Sequence, residues 1–157
     1  LKPSMPSHRE VRDLPFTADQ MFAVVADVEK YPQFLPWCAG LRVTSREQTG
    51  SAEIVIAEML VAYHGLRERY TSRVTLDAGA GNISAAHIKG PFDHLDNRWR
   101  FETTANGCRV HFAIDFAFKS KLLSALAGVA FDLAARKMAD AFAQRAAELY
   151  GSRHLTA

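Results

Sequence analysis

Three carboxylates, Glu58, Glu68 and Asp115, lie nearest the apolar strand patterns of the chain. A buried carboxylate is a natural general acid or base, because burial disfavours its charged form and moves its pKa. The surrounding residues point away from that chemistry. Asp115 alternates with Ile114, Phe116 and Phe118 and so falls on the face opposite them; Glu68 has Arg67 and Arg69 on either side. Neither these nor Glu58 has a nucleophile or a second base at a defined spacing. The six histidines, His8, His64, His87, His94, His111 and His154, form no HExxH or comparable ligand pattern, and Cys38 and Cys108 are too far apart to complete a zinc site. Gly79-Ala-Gly81 lacks the rest of a dinucleotide fingerprint and stands between two strand patterns, where it reads as a turn. The sequence therefore suggests no enzyme, no metal and no required cofactor.

Two other groups of side chains suggest binding. Arg67, Arg69 and Arg73, with Arg98 and Arg100, alternate with inward residues and are expected on an outer sheet face. Such a face is either simply solvated or meets anionic headgroups or RNA phosphates, in which case binding would weaken with salt. Residues 31–38, Tyr-Pro-Gln-Phe-Leu-Pro-Trp-Cys, hold Phe34, Leu35 and Trp37 in a proline-flanked loop. Apolar side chains of that size, costly to leave in water at about 25 cal/mol per Å², must meet core, lipid or a partner.

The elements that would position these groups are legible from periodicity. Residues 8–14 read as a short charged edge strand. Thr17 with Gln20 forms a capping box and Phe16 with Met21 a hydrophobic staple, so both signals start a helix at the same point. Its apolar face is Met21, Phe22, Val25 and Val28, and Pro32 should end it near Lys30. Six strands are expected at 41–48, 52–63, 66–77, 82–88, 94–104 and 108–118, with Asn106-Gly107 as a type I′ hairpin turn.

Alternation places Val110, Phe112, Ile114, Phe116 and Phe118 on one face of the last strand. It does the same for Leu95, Asn97, Trp99 and Phe101, and for Leu66, Tyr70, Val74 and Leu76. Strand 52–63 is apolar on both faces and its inward side is undetermined. Residues 120–150 form a long helix with Leu122, Leu126, Ala130, Leu133, Met138, Ala141, Phe142 and Leu149 at helical spacing. Ten alanines between Ala125 and Ala147 let a sheet approach closely, and Gly151 is a stop. At 1.5 Å per residue the helix spans roughly 45 Å, enough to cross the whole sheet.

The expected fold is α+β: a seven-stranded antiparallel sheet wrapped around a long C-terminal helix, the helix-grip arrangement, with a short helix after the first strand. A curved sheet stands away from a straight helix at one end, leaving an aromatic-lined gap of the kind that holds small molecules. Tyr70, Trp99, Phe101, Phe112, Ile114, Phe116, Phe131 and Met138 are expected inward. Length and composition agree with one soluble unit: 157 residues, 48% hydrophobic, 23% charged, net charge +2. Disordered, collagen-like and disulfide-framework classes are excluded, and the longest stretch free of charges and sizeable polar breaks, Leu122 to Phe131, is too short to span a bilayer. The mild basicity does not imply DNA. Two distant cysteines and no secretory leader point to a reducing cytoplasm.

Several motifs occur together and in order: Tyr31-Pro-x-Phe-Leu-Pro-Trp-Cys38, Glu68-Arg-Tyr-Thr-Ser72, Gly90-Pro-Phe92 with Leu95, Trp99 and Phe101, Asp115-Phe-x-Phe118 with Ser120, and Met138-x-x-Ala-Phe142 with Arg145-Ala146. Through these the chain resembles the coenzyme Q-binding family of the START-like (polyketide cyclase/lipid transport) superfamily, from about residue 8 to Gly151. The resemblance implies one START-like domain over 5–151, with 1–4 and 152–157 as flexible termini. It also implies a tunnel holding ubiquinone or a related polyprenyl lipid without catalysis, in support of respiration or quinone biosynthesis. Phe34, Leu35, Trp37, Tyr70, Leu95, Asn97, Trp99, Phe101, Phe112, Ile114, Phe116, Phe131 and Met138 would be ligand-binding, with a hydrogen bond from Tyr70 or Asn97 to a quinone oxygen. Contact with the periphery of the inner membrane would follow. The same motifs are similar to the bacterial ribosome-association toxin (RatA) family, which implies the large ribosomal subunit as partner and a block of subunit joining.

Overall fold

The computed structural model describes residues 7–63 and 65–151. The termini expected to be flexible, 1–4 and 152–157, lie outside the described residues, as do His64 and His154 and the side chains of Leu66, Leu126 and Ala130. The elements run β1 (Ser7–Leu14), α1 (Ala18–Ala26), a 3₁₀ helix (Val28–Gln33), β2 (Cys38–Thr49), β3 (Ala52–Tyr63), β4 (Leu66–Asp77), β5 (Asn82–Lys89), β6 (Phe92–Thr104), β7 (Gly107–Phe118) and α2 (Lys121–Tyr150). All strands join one antiparallel sheet in the order β1-β7-β6-β5-β4-β3-β2. This is the helix-grip architecture.

Thr17 caps α1 as its sequence requires: the Gln20 N–H donates to Thr17 Oγ1 at 3.0 Å and the Thr17 N–H donates to Gln20 Oε1 at 2.9 Å. Phe16 and Met21 are both buried beside the cap. The helix stops earlier than expected, at Ala26, and the chain tightens into the 3₁₀ segment that contains Pro32. The Tyr31 hydroxyl donates to the Val25 carbonyl, satisfying one of the acceptors that the end of α1 leaves open.

The hairpin between β6 and β7 differs from the expected type I′ turn. Trp37 is the one non-glycine residue with positive φ among those described, so Asn106 is not left-handed, and Thr104 pairs with Gly107 around Ala105-Asn106. Gly107 is required for another reason. A Cβ there would come 2.0 Å from the Leu14 carbonyl oxygen, where β1 leads into α1.

The core lies between the concave sheet face and α2. Trp99, Phe101, Val110, Phe112, Ile114 and Phe116 are buried from the sheet, and Ala135, Ala139, Phe142 and Ala146 from the helix. The buried stripe of α2 is rotated from the one read off the leucines. Leu122 is 69% exposed and Leu133 57%, and Leu149 is exposed as well. Alanine permits the close approach, while these leucines fall on the far side of the helix. Phe131, Ala135, Met138, Phe142 and Ala146 share the inner side at spacings of three and four. Polar contacts fasten β1 to the same helix: His8 lies 3.4 Å from Asp132, and Arg12 forms an ion pair with Asp140 at 2.6 Å with Glu10 on its other side.

Candidate functional site: a cavity between sheet and helix

Register shifts bend the sheet at Cys38/Gly40 and Val43/Ser45 in β2, at Ile88 of β5 opposite Thr71/Ser72, and at Phe92/His94 in β6. The curved end stands off from α2 and leaves a cavity of about 280 Å³. Leu95, Asn97 and Trp99 of β6, Ile114 and Phe116 of β7, and Tyr70 of β4 form its sheet wall. Phe131 and Met138 of α2 form the facing wall, and Leu35 and Trp37 close one side from the 34–37 loop. Phe116 and Phe131 meet across the gap with ring centres 4.5 Å apart.

Three residues expected here line no part of the cavity. Phe34 turns beneath the loop onto Tyr31 and Phe142, with the Arg145 guanidinium 5.2 Å from its ring centre. Phe101 packs on Phe22 and Trp99, and Phe112 packs behind Trp99 beside His8. The alternation that selected Phe101 and Phe112 identifies the concave face, but α1 and the middle of α2 fill that part of it.

The wall also holds residues that periodicity does not single out. Tyr31, Cys38, Met59, Ser72, Phe92 and Phe118 all line the cavity. Phe92 was visible only as part of a Gly-Pro-Phe motif, although its ring contacts Tyr70, Phe116 and Phe118. The ambiguous strand β3 turns Val55, Ala57, Met59 and Val61 inward. Ile56 and Leu60 lie on the outer face, in register with Arg73 and Arg69.

Trp37 adopts φ 66°, a left-handed conformation that costs an L-residue roughly 1–2 kcal/mol. The strand edge holds it there: the Ala62 N–H donates to the Trp37 carbonyl at 2.9 Å. Backbone strain maintained at the rim of a cavity is a mark of functional geometry.

The wall is chemically quiet. Burial pushes the Cys38 thiol up to about 11 and the Tyr70 hydroxyl up to about 12, and it also raises Tyr31, so each keeps its proton near neutrality. Asn97 is committed to the fold: its Nδ2 donates to the Ala113 carbonyl at 2.9 Å, and its Oδ1 accepts from Trp99 Nε1 at 3.0 Å. Of the expected hydrogen-bonding pair, Tyr70 is the better placed, because among the described residues its hydroxyl meets only the Met59 sulfur, at 3.4 Å. Glu58 pairs with Arg42 and Arg69 on the outer face and Asp115 with Arg9. Among the described residues, no group of three His, Cys, Asp or Glu side chains is arranged to hold a metal ion, and no helix is long and apolar enough to cross a membrane.

The arginines do not merge into one basic stripe. Strand β5 separates Arg67, Arg69 and Arg73 from Arg98 and Arg100, and Arg73 lies in the row of Ala86 and Asp96. Arg69 pairs with Glu58 at 3.5 Å, Arg98 with Asp96 at 2.9 Å, and Arg100 contacts His111 at 3.1 Å. Arg9, Arg98, Arg100 and His111 border a shallow outer groove of about 790 Å³.

Residues 14–143 match the family described as "Polyketide cyclase / dehydrase and lipid transport". The ribosome association toxin RatA of Rickettsia prowazekii is 37% identical over 148 residues, covering 92% of this chain and 99% of the toxin. The mitochondrial coenzyme Q-binding protein COQ10 homolog B of Xenopus laevis is 34% identical over 149 residues, covering 92% of this chain and 59% of that protein. The solution structure of the 18 kDa protein CC1736 from Caulobacter crescentus superposes with a TM-score of 0.77 at 40% identity, covering 93% of this chain and 99% of that one.

Proposed function

Because the chain belongs to the polyketide cyclase / dehydrase and lipid transport family, we propose that it binds a polyprenyl quinone such as ubiquinone in the cavity between sheet and helix, without covalent chemistry, in support of respiration or quinone biosynthesis. The observation that carries this reading is the cavity itself: about 280 Å³, walled by aromatic and aliphatic side chains, with a few protonated polar groups. Sites for small molecules are of this kind, and their volumes run from about 300 Å³ upward. The space therefore takes a quinone ring and the beginning of its tail, and the rest of the tail leaves past Leu35 and Trp37. Apolar burial supplies the affinity, and the Tyr70 hydroxyl is available to a ring oxygen. Delivery of such a lipid would bring the protein to the surface of the inner membrane from the cytoplasm.

Organic extraction and mass spectrometry of protein purified gently from its own host tests this, beside a Trp37→Ala, Phe116→Ala double variant. The expected result is stoichiometric quinone on the native chain and none on the variant. Absence of lipid from both, under conditions that keep quinone on a known binder, overturns the reading.

A second reading is favoured by the relatives named as ribosome association toxins, one of which aligns over nearly its full length. In it the large ribosomal subunit is the partner, met by the outer face around Arg67, Arg73, Arg98 and Arg100. Interleaved carboxylates weaken that face for a polyanion. Cosedimentation with large subunits, lost as salt is raised, would support it.

A further inference from the structure

The polar atoms around the cavity differ in how they are used. Asn97 is bonded through both its amide nitrogen and its oxygen, and the Tyr31 hydroxyl is bonded to Val25. Among the described residues the Tyr70 hydroxyl has only a thioether, a weak acceptor. Nε2 of His87 has no hydrogen-bond partner among the described residues and is shielded from solvent. Buried polar atoms without partners are rare in native proteins, and each calls for an explanation.

His87 is placed to serve the cavity. It follows Ile83 and Ala85 on the concave side of β5, and both of those residues line the cavity. It stands in register with Ser72 of β4, a wall residue only 8% exposed. Its ring meets Phe92 edge-on at 5.7 Å, and the Tyr70 ring meets the same phenylalanine at 5.4 Å. At one end of an otherwise apolar cavity the wall thus carries a phenol and a hydroxyl, with the imidazole of His87 just behind the Phe92 ring and outside the lining.

We propose that His87, together with Tyr70, is the polar anchor of the cavity, receiving a ring oxygen of the bound lipid at Nε2 when the Phe92 ring turns aside, and that it holds the quinone and the quinol alike. This rests on the quinone reading above. A neutral imidazole carries its proton on either nitrogen. With the proton on Nε2 it donates to a quinone carbonyl; with the proton on Nδ1, Nε2 accepts from a quinol hydroxyl. The Tyr70 hydroxyl also both donates and accepts. No electron or proton passes to the ligand, so the protein carries either redox form unchanged.

The test uses the native chain and the variants His87→Phe, His87→Gln and Tyr70→Phe, with thermal melts to show that each folds. Decylubiquinone, its quinol under anaerobic conditions, and decylbenzene, which has a similar tail and no ring oxygen, are compared by displacement of bound anilinonaphthalene sulfonate. His87→Phe is expected to weaken quinone and quinol each about tenfold, the scale of one lost hydrogen bond, and to leave decylbenzene unchanged. His87→Gln, which keeps a donor and an acceptor, should recover part of the loss, and Tyr70→Phe should fall between. Unchanged quinone binding by His87→Phe, or an equal loss for decylbenzene, overturns the anchor and leaves the quinone reading standing. A native chain that binds decylbenzene but neither quinone nor quinol overturns both.

Discussion

Filling the cavity should stabilise the protein and abolish its binding. Ala57 of β3 and Ala135 of α2 line the cavity from opposite layers, and each is 2% exposed. An Ala→Leu change adds three carbons, so at about 0.8 kcal/mol per buried methylene the ceiling is about 2.4 kcal/mol per site. The void, about 280 Å³, has room for the added carbons. In a close-packed core the same insertion costs about 1–3 kcal/mol, because neighbours are forced off their rotamers. The sign of the change therefore separates a true cavity from ordinary packing. For a chain of this length each kcal/mol moves the melting temperature by roughly 2–4 °C, so each single variant should melt up to about 5–10 °C higher. Thermal and urea melts of lipid-free protein, with decylubiquinone titrations alongside, read both effects. Lower melting temperatures with quinone binding intact would refute the reasoning.

Thr17→Ala removes the capping box of α1 and should cost about 1 kcal/mol in urea unfolding while leaving quinone affinity unchanged, since the cap lies away from the cavity. Asn97→Leu should destabilise by about 2–3 kcal/mol in the same assay, because it strips the Trp99 N–H and the Ala113 carbonyl of their side-chain partner. Cys38 and Cys108 both have thiols pushed by burial up to about 11, so their alkylation by iodoacetamide should be slow at pH 8 and accelerate as pH approaches that value. The folded pKa values lie above the unfolded ones, so the unfolded thiols ionise first. Their contribution to stability should be fully present below about pH 9 and decline between about pH 9 and pH 11, measurable by calorimetry across that window.

The fold was largely readable from the chain because its local and global signals agree. The alternation from Val110 to Phe118, the Thr17–Gln20 cap and the alanine-rich C-terminal segment each specify one element, and together they allow few arrangements. Where a signal is symmetric, it fails. Strand β3 is apolar on both faces, because the outer Ile56 and Leu60 lie opposite Arg73 and Arg69, so periodicity alone cannot orient it. The leucines of α2 mislead for a related reason: alanine carries its inner face, leaving Leu133 and Leu149 outside.

The site was legible as a face more than as a list of residues. Alternation finds the concave side but does not tell that α1 fills the part holding Phe101 while the bends in β2, β5 and β6 open the part holding Phe92. The arginine stripe breaks up for lack of register information: Glu58 and Asp96 reach Arg69 and Arg98 only once strands are paired or curved. His87 shows the same limit. Its place on an inward face is periodic, but the lack of a partner at Nε2 exists only in three dimensions.

The most direct test of the central claim is where a quinone touches this chain. A short-chain quinone bearing a photoreactive group is irradiated with the native protein, and the adducts are mapped by peptide mass spectrometry with and without excess decylubiquinone. The account predicts adducts on β3 and β4 around Met59 and Tyr70 and on α2 between Phe131 and Phe142, all lost on competition. Adducts confined to the outer groove at Arg9, Arg98 and His111, or labelling that competition does not reduce, would contradict it.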